Sequence, residues 1–406
     1  MCFVKRGKND RKIGAVVVIH KNFNNYGSSL QGFATIVAVQ KLGFQIRVIR
    51  YIKKRAISEL LRTIPFLILS GALISIKRSI KAKINKKIHP EYAKNISIRT
   101  NKVNKFKTTH FDPISDYYKG YTSLSEGSKK YSVVFVGSDQ VWGPLSLYSK
   151  FYNLLFVNDS VPRFSYASSF GSSHILPWQK KGIAEYLNRM NYIGVREIRG
   201  KEIVEELTSK TAQVVLDPTF LLSKKEWEEY SKQSSFNIKE PYIFCYILGN
   251  RSDIRQEVLE LKKQTGYKIV SMNHVDGYRP EDNNLGDITP YDVDAFDFIK
   301  LLSNATCVCT DSFHGSVFSL VFHKQFMVFY RHKKNSLKST QSRIDSLLKI
   351  FDCESRLFKF DGKDLKSCME QPIDYHCFEE KLNTLRQESL DFFKKGLELS
   401  KKRDDG

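Results

Sequence analysis

The sequence predicts an α/β protein of two doubly wound parallel-sheet domains facing a cleft. Three observations lead there. At 406 residues the chain is too long for one ordinary core and long enough for two. Short, β-branched apolar runs alternate with helix-period segments along most of it, the pattern of a parallel sheet covered by helices. The alternation pauses at a charged stretch, residues 224–233, and then restarts. With 41% hydrophobic and 13% aromatic residues, both halves can bury a core, and a disordered chain is excluded.

The elements follow in order. Residues 13–19 read as a first buried strand, 27–40 as a helix stopped by Gly43, and 44–49 as a second strand. A strand–helix–strand unit of this length implies parallel pairing. Residues 131–137 form the next buried run, ending in Ser138-Asp139-Gln140. Strands follow at 163–168, 192–195 and 212–216, with a helix at 200–207. The second half gives strands at 242–248, 268–271, 306–310 and 325–329, and helices at 254–265, 294–302, 317–322 and 342–351. Residues 378–402 have an amphipathic helical period. The expected domains are 1–220, 221–375 and a C-terminal amphipathic helix, 376–406.

The net charge of +22 is concentrated. Between Arg47 and Lys107 there are 17 Lys and Arg against only Glu59 and Glu91. Within this basic excursion, at about 47–110, lies a 13-residue apolar run, residues 64–76. A bilayer span needs about 20 residues, so this run is too short to cross. It fits either a segment lying in an anionic membrane surface or an excursion packed on its own domain. Nucleic acid is not expected as a partner, because no recognition motif accompanies the charge. Seven widely spaced cysteines with apolar neighbours predict reduced thiols and a cytoplasmic protein. No signal peptide is read at the N-terminus, and no Cys or His pairing completes a metal set.

The candidate site residues lie where strands end and helices begin. Ligands of open α/β sheets bind outside the carboxyl ends of the strands, and helix starts offer free N–H groups to anions. His314, followed by Gly315, sits between the run ending at Thr310 and the apolar helical pattern from 317. It is the leading proton-transfer candidate, with Asp311 near enough in sequence to orient it. Asp139 ends another strand and can orient or deprotonate a hydroxyl, with Gln140 and Trp142 beside it. Gly27-Ser-Ser-Leu-Gln-Gly32 lacks the Lys-Ser/Thr of a phosphate-binding P-loop. With Asn25 and Tyr26, Gly27 instead suits a polar ligand such as a sugar. Arg196 can grip a phosphate or carboxylate from a strand end. Ser312, Arg331 and Arg343 can add donors and positive potential. Asp217-Pro218 is expected to shape the turn between the halves.

Six motifs occur in one order: Asn25-Tyr-Gly-Ser-Ser-Leu-Gln31, Val136-Gly-Ser-Asp-Gln-Val-Trp142, Ser165-Tyr-Ala-Ser-Ser-Phe-Gly171, Val195-Arg-Glu197, Leu216-Asp-Pro-Thr219 and Thr310-Asp-Ser-Phe-His-Gly315. Together, over residues 13–350, they resemble the polysaccharide pyruvyl transferase family. The resemblance implies two Rossmann-like domains in a GT-B-like arrangement. It implies transfer of pyruvate from phosphoenolpyruvate to hydroxyls of a surface polysaccharide or its lipid-linked precursor, forming a ketal. Phosphoenolpyruvate is then a substrate, and neither cofactor nor metal is expected. The family's histidine matches His314, and a donor-binding arginine matches Arg196. Some members carry Arg-Leu just before the histidine, where this chain has Ser312-Phe313. Arg331, Arg343 or a lysine would have to supply that cation. Two rival readings remain: a glycosyltransferase using a nucleotide sugar, and a non-enzymatic protein that binds glycan or the membrane surface.

Overall fold

Seven parallel strands form the first sheet, and four parallel strands form the second. The computed structural model describes residues 12–19, 24–53, 82–143, 147, 150–172, 174–273, 277–332 and 341–403. The apolar run 64–76, together with Cys2, Lys333 and Lys334, lies outside them.

The first sheet holds β1 (Lys12–Val16), β2 (Gln45–Ile52), β3 (Ser115–Lys119), β4 (Val133–Val136), β5 (Arg163–Ser168), β6 (Tyr192–Val195) and β7 (Gln213–Val214). Its order is β3-β2-β1-β4-β5-β6-β7, the doubly wound arrangement whose switch point falls between β1 and β4. Helices α1 (Tyr26–Lys41), α2 (Pro90–His110), α3 (Tyr121–Ser128), α4 (Pro177–Asn188) and α5 (Ile198–Leu207) belong to this half. β4 is apolar and buried along its whole length, as a central strand covered on both faces must be. The edge strand β3, Ser-Asp-Tyr-Tyr-Lys, was not expected from the sequence, because an edge strand needs no continuous apolar run.

Helix α6 (Lys224–Ser231) occupies the charged stretch and leads into the second half. Its strands are β8 (Tyr242–Tyr246), β9 (Lys268–Ser271), β10 (Cys307–Thr310) and β11 (Gln325–Val328). They are ordered β11-β10-β8-β9, so a second switch point falls between β8 and β10. The helices are α7 (Ser252–Thr265), α8 (Ala295–Ser303), α9 (Phe313–Val321), α10 (Gln341–Ile350) and α11 (Leu365–Glu370). The two-domain, GT-B-like architecture is thus present, with one continuous apolar cluster joining the halves.

That join is specific. The Tyr26 ring stacks on Phe298 at 5.0 Å, and its hydroxyl donates to the Val293 carbonyl. Phe33 meets Phe296 edge-on at 5.1 Å. Arg99 of α2 donates to the carbonyls of Asn273 (2.6 Å) and Pro290 (2.7 Å). The last helix, α12 (Tyr375–Leu397), returns to the first domain. Phe393 stacks on Tyr166 at 4.1 Å, and Ser389 Oγ accepts from Leu216 N. A Cβ at Gly396 would lie 2.5 Å from the Phe164 ring, so this glycine lets the helix seat on the sheet. The apolar stripe read from the sequence is therefore spent on both halves, Phe378 packing on Phe351 of the second and Phe393 on Tyr166 of the first.

Candidate active site

The first switch point brings α1 and the β4 end together. Asn25 caps α1 by accepting from Ser28 N, satisfying one of the helix's free donors. Ser28 Oγ in turn donates to Asp139 Oδ2, and Gln140 N donates to Asp139 Oδ1 at 2.8 Å. Asp139 has φ of +88°, a conformation few residues other than glycine adopt. Such strain persists only where surrounding contacts over-determine it, and it clusters at functional sites.

The second switch point lies opposite. Helix α9 begins at Phe313, earlier than the sequence pattern indicates, because Ser312 caps it by accepting from Gly315 N. His314 therefore stands in the first helical turn rather than in a preceding loop. Gly315 is required by close packing: a Cβ there would lie 2.4 Å from Thr310 Oγ1. Asp311 does not turn toward His314. Its carboxylate accepts from Leu248 N (2.8 Å) and Gly249 N (2.6 Å), and Arg331 Nε lies 3.5 Å away. It ties the β8 and β10 ends together.

The two halves meet at Asp217. Its Oδ2 accepts from Ser138 Oγ (2.7 Å) and Arg196 Nη1 (3.0 Å), and lies 3.6 Å from His314 Nε2. Its Oδ1 accepts from Thr219 N and Thr219 Oγ1, shaping the turn as expected. The turn residue is thus also the anion between Arg196 and His314. The sequence showed only a strand-end Asp-Pro, and the shaping role hid the second one. Glu197, also buried, accepts from Ser169 Oγ at 2.7 Å and lies 3.9 Å from Arg196 Nε.

His314 is packed from the first domain by Gly27. A Cβ on Gly27 would lie 2.1 Å from His314 Nδ1, so only glycine lets α1 come this near the imidazole. Beside His314, the Phe313 ring carries two guanidinium groups, Arg196 at 4.2 Å and Arg343 at 6.0 Å from its centroid. With the Gln140 amide turned to satisfy its neighbours, its oxygen accepts from Arg343 Nη2 at 2.6 Å. The remaining candidates are placed differently. Trp142 is in the core, its ring against Phe170 and Tyr186 and its Nε1 donating to the Tyr152 carbonyl. Tyr26 is engaged in the domain join. Cys245, Cys307 and Cys309 are free and buried on the second sheet, where burial pushes their thiols up.

The charges explain each other. Burial alone would push the Asp217 carboxyl up, but His314, Arg196 and the Thr219 hydrogen bond hold it well below the usual range. Burial likewise opposes ionisation of Asp139, and Arg196, His314 and Ser28 outweigh it, leaving its carboxyl lowered. Arg343 moves the other way. Burial first, then the Arg196 charge, push its guanidinium down to about 9. Arg196 is only 4% exposed, yet its Nε and Nη2 make no hydrogen bond, and neither does His314 Nε2. Two crowded cations, of which Arg196 has unused donors, next to an imidazole make an arrangement that can hold a small anion beside a proton-transfer group.

A family model described as polysaccharide pyruvyl transferase matches residues 25–333. The chain belongs to that family. The matched region runs from the Asn25 cap past Arg331 and so contains Asp139, Arg196, Asp217 and His314; Arg343 lies beyond it. No curated protein is detectably similar to this pyruvyl transferase family member. Solved structures that resemble it include UDP-GlcNAc 2-epimerase from Neisseria meningitidis bound to UDP-GlcNAc, at 11% identity and a TM-score of 0.47, covering 94% of this chain and 100% of that one. MurG from Acinetobacter baumannii gives 10% identity, a TM-score of 0.43 and coverage of 93% and 95%. ADP-heptose LPS heptosyltransferase II from E. coli gives 12%, 0.35, and 93% and 99%.

Proposed function

We propose that the protein transfers pyruvate from phosphoenolpyruvate to two hydroxyls of a sugar, forming a ketal on a polysaccharide or its lipid-linked precursor. The observation that carries this reading is the pair Arg196 and Arg343 gathered on the Phe313 ring, beside the unbonded His314 Nε2. Phosphoenolpyruvate bears a phosphate and a carboxylate, which guanidinium groups hold through paired, charge-assisted hydrogen bonds. Arg343 approaches the ring of residue 313, so it supplies in space the cation that Ser312-Phe313 lacks in sequence.

The chemistry then follows from proton positions. His314 Nε2 delivers a proton to the methylene carbon, and C2 becomes electron-deficient. One sugar hydroxyl attacks C2 and loses its proton. Phosphate leaves with its bonding electron pair, and a second hydroxyl closes the ring at C2, its proton passing to the departing phosphate. Proton delivery by a placed imidazole is worth roughly 10²–10⁴-fold. Asp217 would balance the imidazolium, and Asp139, anionic and tied to Ser28, is the candidate to accept a hydroxyl proton.

The direct test is phosphate release from phosphoenolpyruvate in the presence of a glycoside panel. A folded protein that neither binds phosphoenolpyruvate nor releases phosphate with any acceptor would sink the reading. A nucleotide sugar that raises the melting temperature where phosphoenolpyruvate does not would favour the glycosyltransferase alternative. Arg343→Gln separates binding from stability. The cation costs stability at every pH below about 9, and that cost is relieved as pH rises through this value. At pH 7 the variant should therefore melt higher than the parent. Its phosphoenolpyruvate Kd should rise by about 10- to 100-fold, the worth of one charge-assisted hydrogen bond.

Membrane attachment belongs to the same reading. Residues 83–88, next to the basic segment 54–81, expose Ile84 (49%) and Ile88 (63%) among Lys83, Lys86 and Lys87. No helix among the described residues is long and apolar enough to cross a membrane. Sedimentation with vesicles containing phosphatidylglycerol, lost at high salt and absent with neutral lipid, is the expected result. Equal recovery in the supernatant with both lipids would remove the membrane from the proposal.

A further inference from the structure

We infer that the acceptor saccharide is held in a second pocket, about 450 Å³, between the start of α2 and the loop after β9. This rests on the pyruvyl-transfer reading and names the place where the sugar is gripped. The volume is within the roughly 300–1,000 Å³ of small-ligand sites. His89 and Tyr278 stack at 3.7 Å with an interplanar angle of 18°, and Tyr92 meets Tyr278 edge-on at 5.3 Å. These rings offer flat apolar surface, which matches the C–H face of a pyranose. Around them lie Asn273, Arg279 and Tyr291, whose amide, guanidinium and phenol match sugar hydroxyls.

Two details favour a sugar over the anionic donor. Asp282, also in the wall, is already neutralised by Arg255, whose Nε donates to it at 2.8 Å. Arg279 is then the cation of the pocket, but Glu91 lies in the same wall, so no surplus positive charge remains for a phosphate. The Arg279 Nε is buried without a hydrogen-bond partner, a donor suited to a hydroxyl oxygen. Packed side chains join the wall of the pocket to the reacting centre. The Arg99 guanidinium lies over the rings of Tyr291 (5.0 Å) and Tyr26 (5.9 Å), and Tyr26 directly precedes the glycine packed on His314.

The probes are 4-nitrophenyl glycosides of galactose, glucose, N-acetylglucosamine, N-acetylmannosamine and glucuronic acid, tested by saturation-transfer NMR and as acceptors. Tyr278→Ala and Arg279→Ala should each raise the acceptor KM by about tenfold or more, with kcat within about twofold and phosphoenolpyruvate Kd unchanged. Tyr278→Phe keeps the ring and should restore KM. An unchanged KM in both alanine variants overturns the pocket, as does a parent protein that binds none of the glycosides. A glycoside that binds the parent and not Tyr278→Ala, in a protein indifferent to phosphoenolpyruvate, upholds the pocket and removes the pyruvyl-transfer reading. Phosphoenolpyruvate-dependent turnover with KM untouched by both variants does the reverse.

Discussion

Replacing His314 by Gln is expected to slow acceptor-dependent phosphate release by about 10²–10⁴-fold, the usual worth of a general acid. Glutamine retains a hydrogen-bonding amide of similar reach but cannot deliver a proton. The imidazole is buried in the first turn of α9, with Gly27 against Nδ1 and Asp217 3.6 Å from Nε2. Those contacts fix the ring's place, so the variant should lose rate rather than donor affinity. The expected result is a fall in kcat with phosphoenolpyruvate Kd within about threefold of the parent. Solvent deuterium entering the product methyl group should slow in parallel, because proton delivery to the methylene carbon is the step removed. A kcat within about threefold of the parent, in a folded variant, would take His314 out of the mechanism.

Much of this was legible before the structure. Central parallel strands announce themselves because burial on both faces demands apolar, β-branched runs, and β5 and β6 coincide with the sequence reading. β3 escaped because an edge strand needs no such run. His314, Arg196 and Asp139 were visible as polar residues stopping apolar strands, a position with few purely structural uses. Their arrangement was not visible. Ser138, Arg196 and Asp217 are gathered at the ends of strands of the first sheet, and only the domain join brings His314 to them. Asp311 seemed the natural neighbour of His314, three residues away, yet helix α9 starts at Phe313 and points the two side chains apart. Arg343 carried no motif of its own, and its position beside Phe313 depends on α10 folding back over α9.

Asp217→Asn should be the most destabilising substitution in the site. The carboxylate is fully buried and shared by Arg196, Ser138 and Thr219. An amide of the same shape removes the charge and must aim an N–H₂ at groups that are themselves donors. Arg196 is then left as a buried cation whose remaining carboxylate, Glu197, lies 3.9 Å away. Breaking a buried pair from one side costs about 3–5 kcal/mol, which would appear as a lower urea midpoint at unchanged m-value. The pH dependence distinguishes charge from shape. The native carboxyl is held well below its ordinary value, although burial alone would raise it, because His314, Arg196 and Thr219 favour the anion. Its contribution is therefore fully present above the unfolded value of about 4 and is lost as pH falls toward the native one. The gap between parent and variant should narrow as pH falls below about 4. A gap that stays the same at acid pH would mean that Asp217 serves by its shape alone, and that Arg196 and His314 do not depend on its charge.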